Sequence, residues 1–73
     1  MNSIYCPKYE LMIQRLGRVR RRLGLRQVDV ADLLGKHQSY VSKVENCERR
    51  LDIAELAHFL EVYGISSGEI YGD

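Results

Sequence analysis

The sequence predicts an all-α fold, and three observations carry that prediction. Apolar residues recur at three- and four-residue steps along four separate stretches, glycines punctuate most of the joints between them, and no run alternates polar with apolar residues as a half-buried strand would. A chain of 73 residues suffices for one domain, and at that length only about 60% of the unfolded surface can be buried. With 45% hydrophobic and 29% charged residues, the composition is that of a folding chain and excludes a disordered or collagen-like one.

Pro7 suits the first turn of a helix, and Met12, Leu16, Val19 and Leu23 then repeat at helical steps, so helix 1 is expected over roughly 8–23. Gly24 supplies a stop, and Gln27 to Leu34 restarts as a short helix 2 with Val30, Ala31 and Leu34 inward, closed by Gly35. Helix 3 is expected from His37 or Gln38 to Glu45, with Val41 and Val44 on its inner face and Gln38, Ser39, Ser42 and Lys43 outward. The polar stretch Asn46-Cys47-Glu48-Arg49-Arg50 reads as a loop. Asp52 can then cap a helix 4 carrying Ile53, Leu56, Phe59, Leu60 and Tyr63 at helical spacing, with Gly64 at its end. Ile65 and Ile70, around Ser66-Ser67, suggest one last short turn of helix over the core.

A net charge of +1 conceals a strong polarity. Residues 1–50 hold all eleven Lys and Arg against five acids (Glu10, Asp29, Asp32, Glu45, Glu48), a local net of +6, whereas residues 51–73 hold five acids and no Lys or Arg, a net of −5. One face can meet a polyanion while the other turns away from it or toward a protein partner, although an ordinary solvated distribution would give the same totals. Arg18, Arg20, Arg21, Arg22 and Arg26 circle helix 1 and its exit, so some can attract phosphate while others are merely solvated.

Several function classes are excluded. No Gly-rich phosphate loop, carboxylate pair in an apolar setting, or Cys or Ser with a His partner is present, so no enzyme and no cofactor are expected. Cys6 and Cys47 have no CxxC or His at ligand spacing, which argues for two thiols rather than a disulfide framework or a metal site. No apolar run is long enough to span a membrane, and the first six residues lack the regions of a secretion signal, so a cytoplasmic protein is expected.

Two short helices joined at Gly35 form a corner whose second helix projects, and its outward residues are short or hydrogen-bonding, as a helix entering a major groove about 12 Å wide requires. Gln38 can bond adenine N6/N7 and Lys43 can reach guanine O6/N7, with Ser39 permissive. On the residues alone, Gln38 can equally cap helix 3, and Ser39, Ser42 and Lys43 can be ordinary solvated side chains.

The stretch from Leu23 to Asn46, and onward through Arg49-Arg50-Leu51-Asp52 and Leu56 to Ile65, closely resembles the lambda-repressor-like (Cro/CI, XRE) helix-turn-helix family of transcriptional regulators. The resemblance implies a compact five-helix domain over 1–73, with a core at about 8–71, a short N-terminal arm 1–7 and the helix-turn-helix at helices 2 and 3. It implies sequence-specific binding of double-stranded DNA by a homodimer at a palindromic operator, with half-sites about 34 Å apart, and a repressor as the expected role. Ser39, Ser42 and Lys43 match the base-reading surface, with Gln38 as its first polar residue. Gln27 matches a residue that contacts phosphate and braces that position, and Arg20 with Glu45 matches a structural salt bridge from helix 1 to the end of helix 3. Asn46, Arg49 and Arg50 fall in the phosphate-gripping loop, and Tyr40 either contacts the DNA backbone or packs at the helix edge. The chain departs from the pattern at Arg26 and His37, which stand where Ser or Thr caps are usual, and at Cys47, which stands at a common glycine position. His37 as a pH-sensitive contact and Cys47 as a redox sensor beside Arg49 and Arg50 are further readings. An antitoxin or phage accessory protein using the same fold mainly for protein–protein interaction is the alternative function, with Val62, Tyr63, Ile70 and Tyr71 as candidate contacts.

Overall fold

In a computed structural model, which describes residues 6–71, the proline at position 7 does begin a helix, because its fixed φ is already helical and its missing N–H would have had no partner there. This α1 runs Pro7–Arg22 and is followed by α2 (Gln27–Leu34), α3 (Gln38–Glu45), α4 (Ile53–Tyr63) and α5 (Gly68–Tyr71), with no strand among the described residues. The arm expected over 1–7 falls mostly outside the described residues, and Pro7 itself belongs to α1.

Four helices end in the same way. A residue at or just after each C-cap turns left-handed, and the N–H groups around it return to two carbonyls of the last turn, as in Lys36 N–H to Ala31 (2.9 Å) with Gly35 N–H to Asp32 (3.2 Å). Glycine takes the left-handed position after α1, α2 and α4, at φ 75°, 70° and 67°. After α3 the position falls to Cys47 at φ 60°, with Glu48 N–H to Lys43 at 2.8 Å and Cys47 N–H to Val44 at 3.1 Å, so a side chain sits where one is sterically disfavoured.

The core draws on every helix: Ile13, Leu16 and Val19 of α1, Val30 and Ala31 of α2, Val41 and Val44 of α3, Phe59 and Tyr63 of α4, and Ile70 of α5. One expectation is corrected here. Leu23 lies in the turn after α1 and is exposed, while Ile13 takes the inward position, because the true stripe steps from Ile13 to Leu16 to Val19. Ile53 is 88% exposed: as the first residue of α4 it precedes the turn at which the apolar face meets the core. Asp52 caps that helix, its carboxylate accepting Glu55 N–H at 2.7 Å while Glu55 accepts Asp52 N–H at 3.0 Å.

α2 packs on α3 and α4, and α1 packs on α3 and α5. Arg15 Nη1 donates to the Ile70 carbonyl at 3.1 Å, and the Tyr9 hydroxyl accepts Leu51 N–H at 3.1 Å, which ties α1 to α5 and to the loop before α4. The α2–α3 corner is thereby held from behind, with the outer side of α3 uncovered.

Candidate nucleic-acid interface

Position within α3 decides which side chains face out. Val41 and Val44 are fully buried, so the residues between and before them, Gln38, Ser39 and Lys43, are exposed, and Ser42 is half-buried at the edge. His37 precedes α3 in extended backbone and makes no side-chain cap; the first turn closes through Tyr40 N–H to the His37 carbonyl at 3.0 Å.

Arg26 likewise offers no acceptor to the first turn of α2. Asp29 bonds backwards instead, accepting Arg26 N–H at 2.8 Å and the Arg26 guanidinium at 2.9 and 3.1 Å. That guanidinium, and then the backbone N–H, hold the Asp29 carboxyl below its ordinary range.

A line of hydrogen bonds connects the exposed edge of α3 to α1. Gln38 Nε2 donates to Gln27 Oε1 at 2.7 Å, Gln27 Nε2 donates to Glu45 Oε1 at 3.0 Å, and Arg20 grips Glu45 with Nε at 2.6 Å and Nη2 at 3.0 Å. Arg20 Nη1 completes the line on the Leu25 carbonyl at 2.8 Å. The Arg20 and Glu45 side chains are each only 11% exposed, and the hydrogen bonds to Glu45 raise the Arg20 pKa above its ordinary value despite burial. Tyr63 lies near this pair; burial pushes its phenol well above the ordinary range, and its hydroxyl has no hydrogen-bond partner among the described residues.

On the other flank of α3 the loop after Asn46 carries Arg49 and Arg50. Arg49 is held by Glu55, Nη2 to Oε2 at 2.9 Å and Nη1 to Oε1 at 3.2 Å, and its guanidinium lies 4.9 Å from the centre of the Tyr40 ring. Lys36 Nζ lies 5.2 Å from the same ring, which also stacks on Phe59 at 6.2 Å; Arg50 lies 4.4 Å from the Tyr9 ring. Tyr40 therefore packs at the helix edge and serves as a platform for two cations. A recess of about 310 Å³ opens among Lys36, His37, Ser39, Tyr40, Lys43 and Arg49, with no carboxylate in its lining, and one of about 530 Å³ opens on the opposite side among Arg20, Arg26, Gln27 and Gln38.

The projecting helix is thus flanked on one side by a cationic recess and on the other by one whose two arginines are already paired with Glu45 and Asp29. Lys36 was missed by sequence reasoning, and only its place directly after the stop glycine could have signalled it. Cys47 is half-buried, and burial, followed by the charge of Glu10, pushes its thiol above the ordinary range.

Among the described residues, no three His, Cys, Asp or Glu side chains gather as a metal cluster, and no helix is long and apolar enough to cross a membrane. A family model described as a helix-turn-helix domain matches residues 14–70. No curated protein matches the chain.

Proposed function

Because the chain belongs to the helix-turn-helix domain family, we propose that it is a regulator that binds double-stranded DNA as a homodimer at a palindromic operator, acting as a repressor. In this reading α3 enters the major groove and turns Gln38, Ser39, Ser42 and Lys43 toward base edges, while Gln27, Asn46, Arg49 and Arg50 hold phosphates and Tyr40 holds Arg49 in place beside them. One α3 reaches one half-site, so a two-fold pair of chains places two such helices about 34 Å apart.

The observation that carries the reading is the line from Gln38 through Gln27 and Glu45 to Arg20. A merely solvated helix face has no need of it. A reading face does, since its first side chain must be presented in one orientation before it meets a base. The Arg49–Glu55 pair is compatible with grip: Glu55 and the Arg50 carbonyl occupy three of the arginine's N–H groups, leaving Nε–H and one Nη2–H for a phosphate oxygen.

Selection from random duplexes tests the proposal. A palindromic motif should emerge, with binding that weakens steeply as salt rises. Lys43→Ala should relax preference at one base position at a cost of about 1–3 kcal/mol, whereas Arg49→Ala should weaken all sequences alike. No enriched motif, together with no binding even at low salt, defeats the reading.

A further inference from the structure

Nearly every arginine among the described residues is engaged within the fold. Arg15 bonds a carbonyl of α5, Arg20 holds Glu45, Arg22 pairs with Glu69, Arg26 with Asp29 and Arg49 with Glu55, while Arg50 lies on the Tyr9 ring. Arg18 and Arg21 differ. Both are exposed, and among the described residues neither makes an ion pair, hydrogen bond or ring contact. Two guanidiniums without partners, each with five N–H donors, are the least satisfied cations of the molecule's arginine set.

They also converge. Gln14, Arg18 and Arg21 stand at i, i+4 and i+7 on one face of α1, and together with Asn46 at the C-cap of α3 they border a recess of about 360 Å³. Gly17 forms its floor. A Cβ there would lie 3.4 Å from Arg21 Nη1 and 3.7 Å from the Glu45 carboxyl, in ordinary contact with both, so glycine leaves the recess that much wider. Glu45 is the only carboxylate in the lining, and its charge is already taken by the two-pronged grip of Arg20.

We propose that Gln14, Arg18, Arg21 and Asn46 form a second phosphate-binding strip, on which the backbone of the same duplex continues past the end of α3. The inference rests on the DNA-binding reading above. The chemistry is that of anion capture, with planar guanidinium forks that match phosphate oxygens and amide donors beside them. The strip begins at Asn46, on the helix that would occupy the groove, and shares Glu45 with the line that presents Gln38, so it lies along the border of the reading surface rather than on a separate face. Such contacts read no sequence; they fix the angle at which α3 enters the groove.

The test compares R18Q/R21Q, R18K/R21K and Gln38→Ala with the unaltered chain on the selected operator and on random duplex, across a salt series. In R18Q/R21Q, the slope of log affinity against log salt should fall by about 1.8, and affinity should drop about 60-fold at 0.1 M salt on both duplexes, because two phosphate contacts are removed. R18K/R21K keeps the charge and should keep the slope. R18Q/R21Q with unaltered slope and affinity overturns the inference, as does a loss confined to the operator. If that result accompanies loss of site preference in Gln38→Ala, only the strip falls; if the unaltered chain binds no duplex, the DNA-binding reading falls with it.

Discussion

Replacing Glu45 by alanine should remove a large share of the protein's stability. The carboxylate accepts from Arg20 Nε at 2.6 Å, from Arg20 Nη2 at 3.0 Å and from Gln27 Nε2 at 3.0 Å, and the Arg20 and Glu45 side chains are each 11% exposed. Without it the Arg20 guanidinium stays largely desolvated with only the Leu25 carbonyl as partner, and breaking a buried pair in this way costs about 3–5 kcal/mol. A chain of 73 residues has about 4–11 kcal/mol in total. Glu45→Ala should therefore lower the melting temperature by more than about 10 °C, at about 4–8 °C per kcal/mol for a domain of this size. Urea unfolding followed by far-UV circular dichroism measures the change, with an unaltered slope showing that the unfolded state is the same. The double variant R20M/E45L removes both charges and should recover most of the loss, since what is costly is the orphaned guanidinium rather than the absent pair. A Glu45→Ala variant within about 1 kcal/mol of the unaltered protein, or a double variant no more stable than the single, refutes this reasoning.

Three further outcomes are expected. Tyr63→Phe removes a buried hydroxyl that has no partner among the described residues and should raise stability by about 1 kcal/mol; a loss in thermal unfolding would show that the hydroxyl is satisfied in solution. At Cys47, φ 60° disfavours any side chain and a β-branched one most, so Cys47→Val should be less stable than Cys47→Gly by about 1–2 kcal/mol, and equal melting temperatures would contradict this. The Glu55 carboxyl is held below its ordinary range by the Asp52 N–H and then by Arg49, so its ionised form favours folding. That contribution, under about 1 kcal/mol because the pair is partly exposed, is complete above the unfolded carboxyl pKa of about 4.3 and is lost as pH falls through the lowered folded value. The stability gap between the unaltered protein and Glu55→Gln should accordingly close between pH 7 and pH 3; a gap that holds or widens at low pH counts against the assignment.

The helices were legible because their ends are written locally. Gly24, Gly35 and Gly64 mark the left-handed stops and Asp52 the start of α4, each within a few residues of the backbone groups it satisfies. Facing was harder. Met12 and Ile13 are adjacent and both apolar, so the spacing to Leu16 admitted either as the inward residue, and only packing against α3 and α5 selects Ile13. Ile53 shares the helical spacing of the apolar face, but its place at the helix start leaves its side chain exposed. The candidate site divides the same way. Gln27, Gln38, Arg20 and Glu45 come from segments whose relative placement a family resemblance supplies. The Lys36–Tyr40–Arg49 stack and the pairing of Arg49 with Glu55 depend on how the loop after Cys47 folds back, and nothing in the spacing encodes that path.

The line from α1 to Gln38 has a direction as well as a length. A carboxylate can only accept, so Glu45 forces Gln27 to turn its NH₂ inward and its carbonyl outward; that carbonyl in turn takes one N–H of Gln38. Gln38 is left with its own carbonyl oxygen and a single N–H, side by side, which is the mirror of adenine's N6–H and N7. The acceptor-only carboxylate at the end of α3 is thereby felt through two amides at the surface, where it sets which hydrogen-bonding groups Gln38 presents.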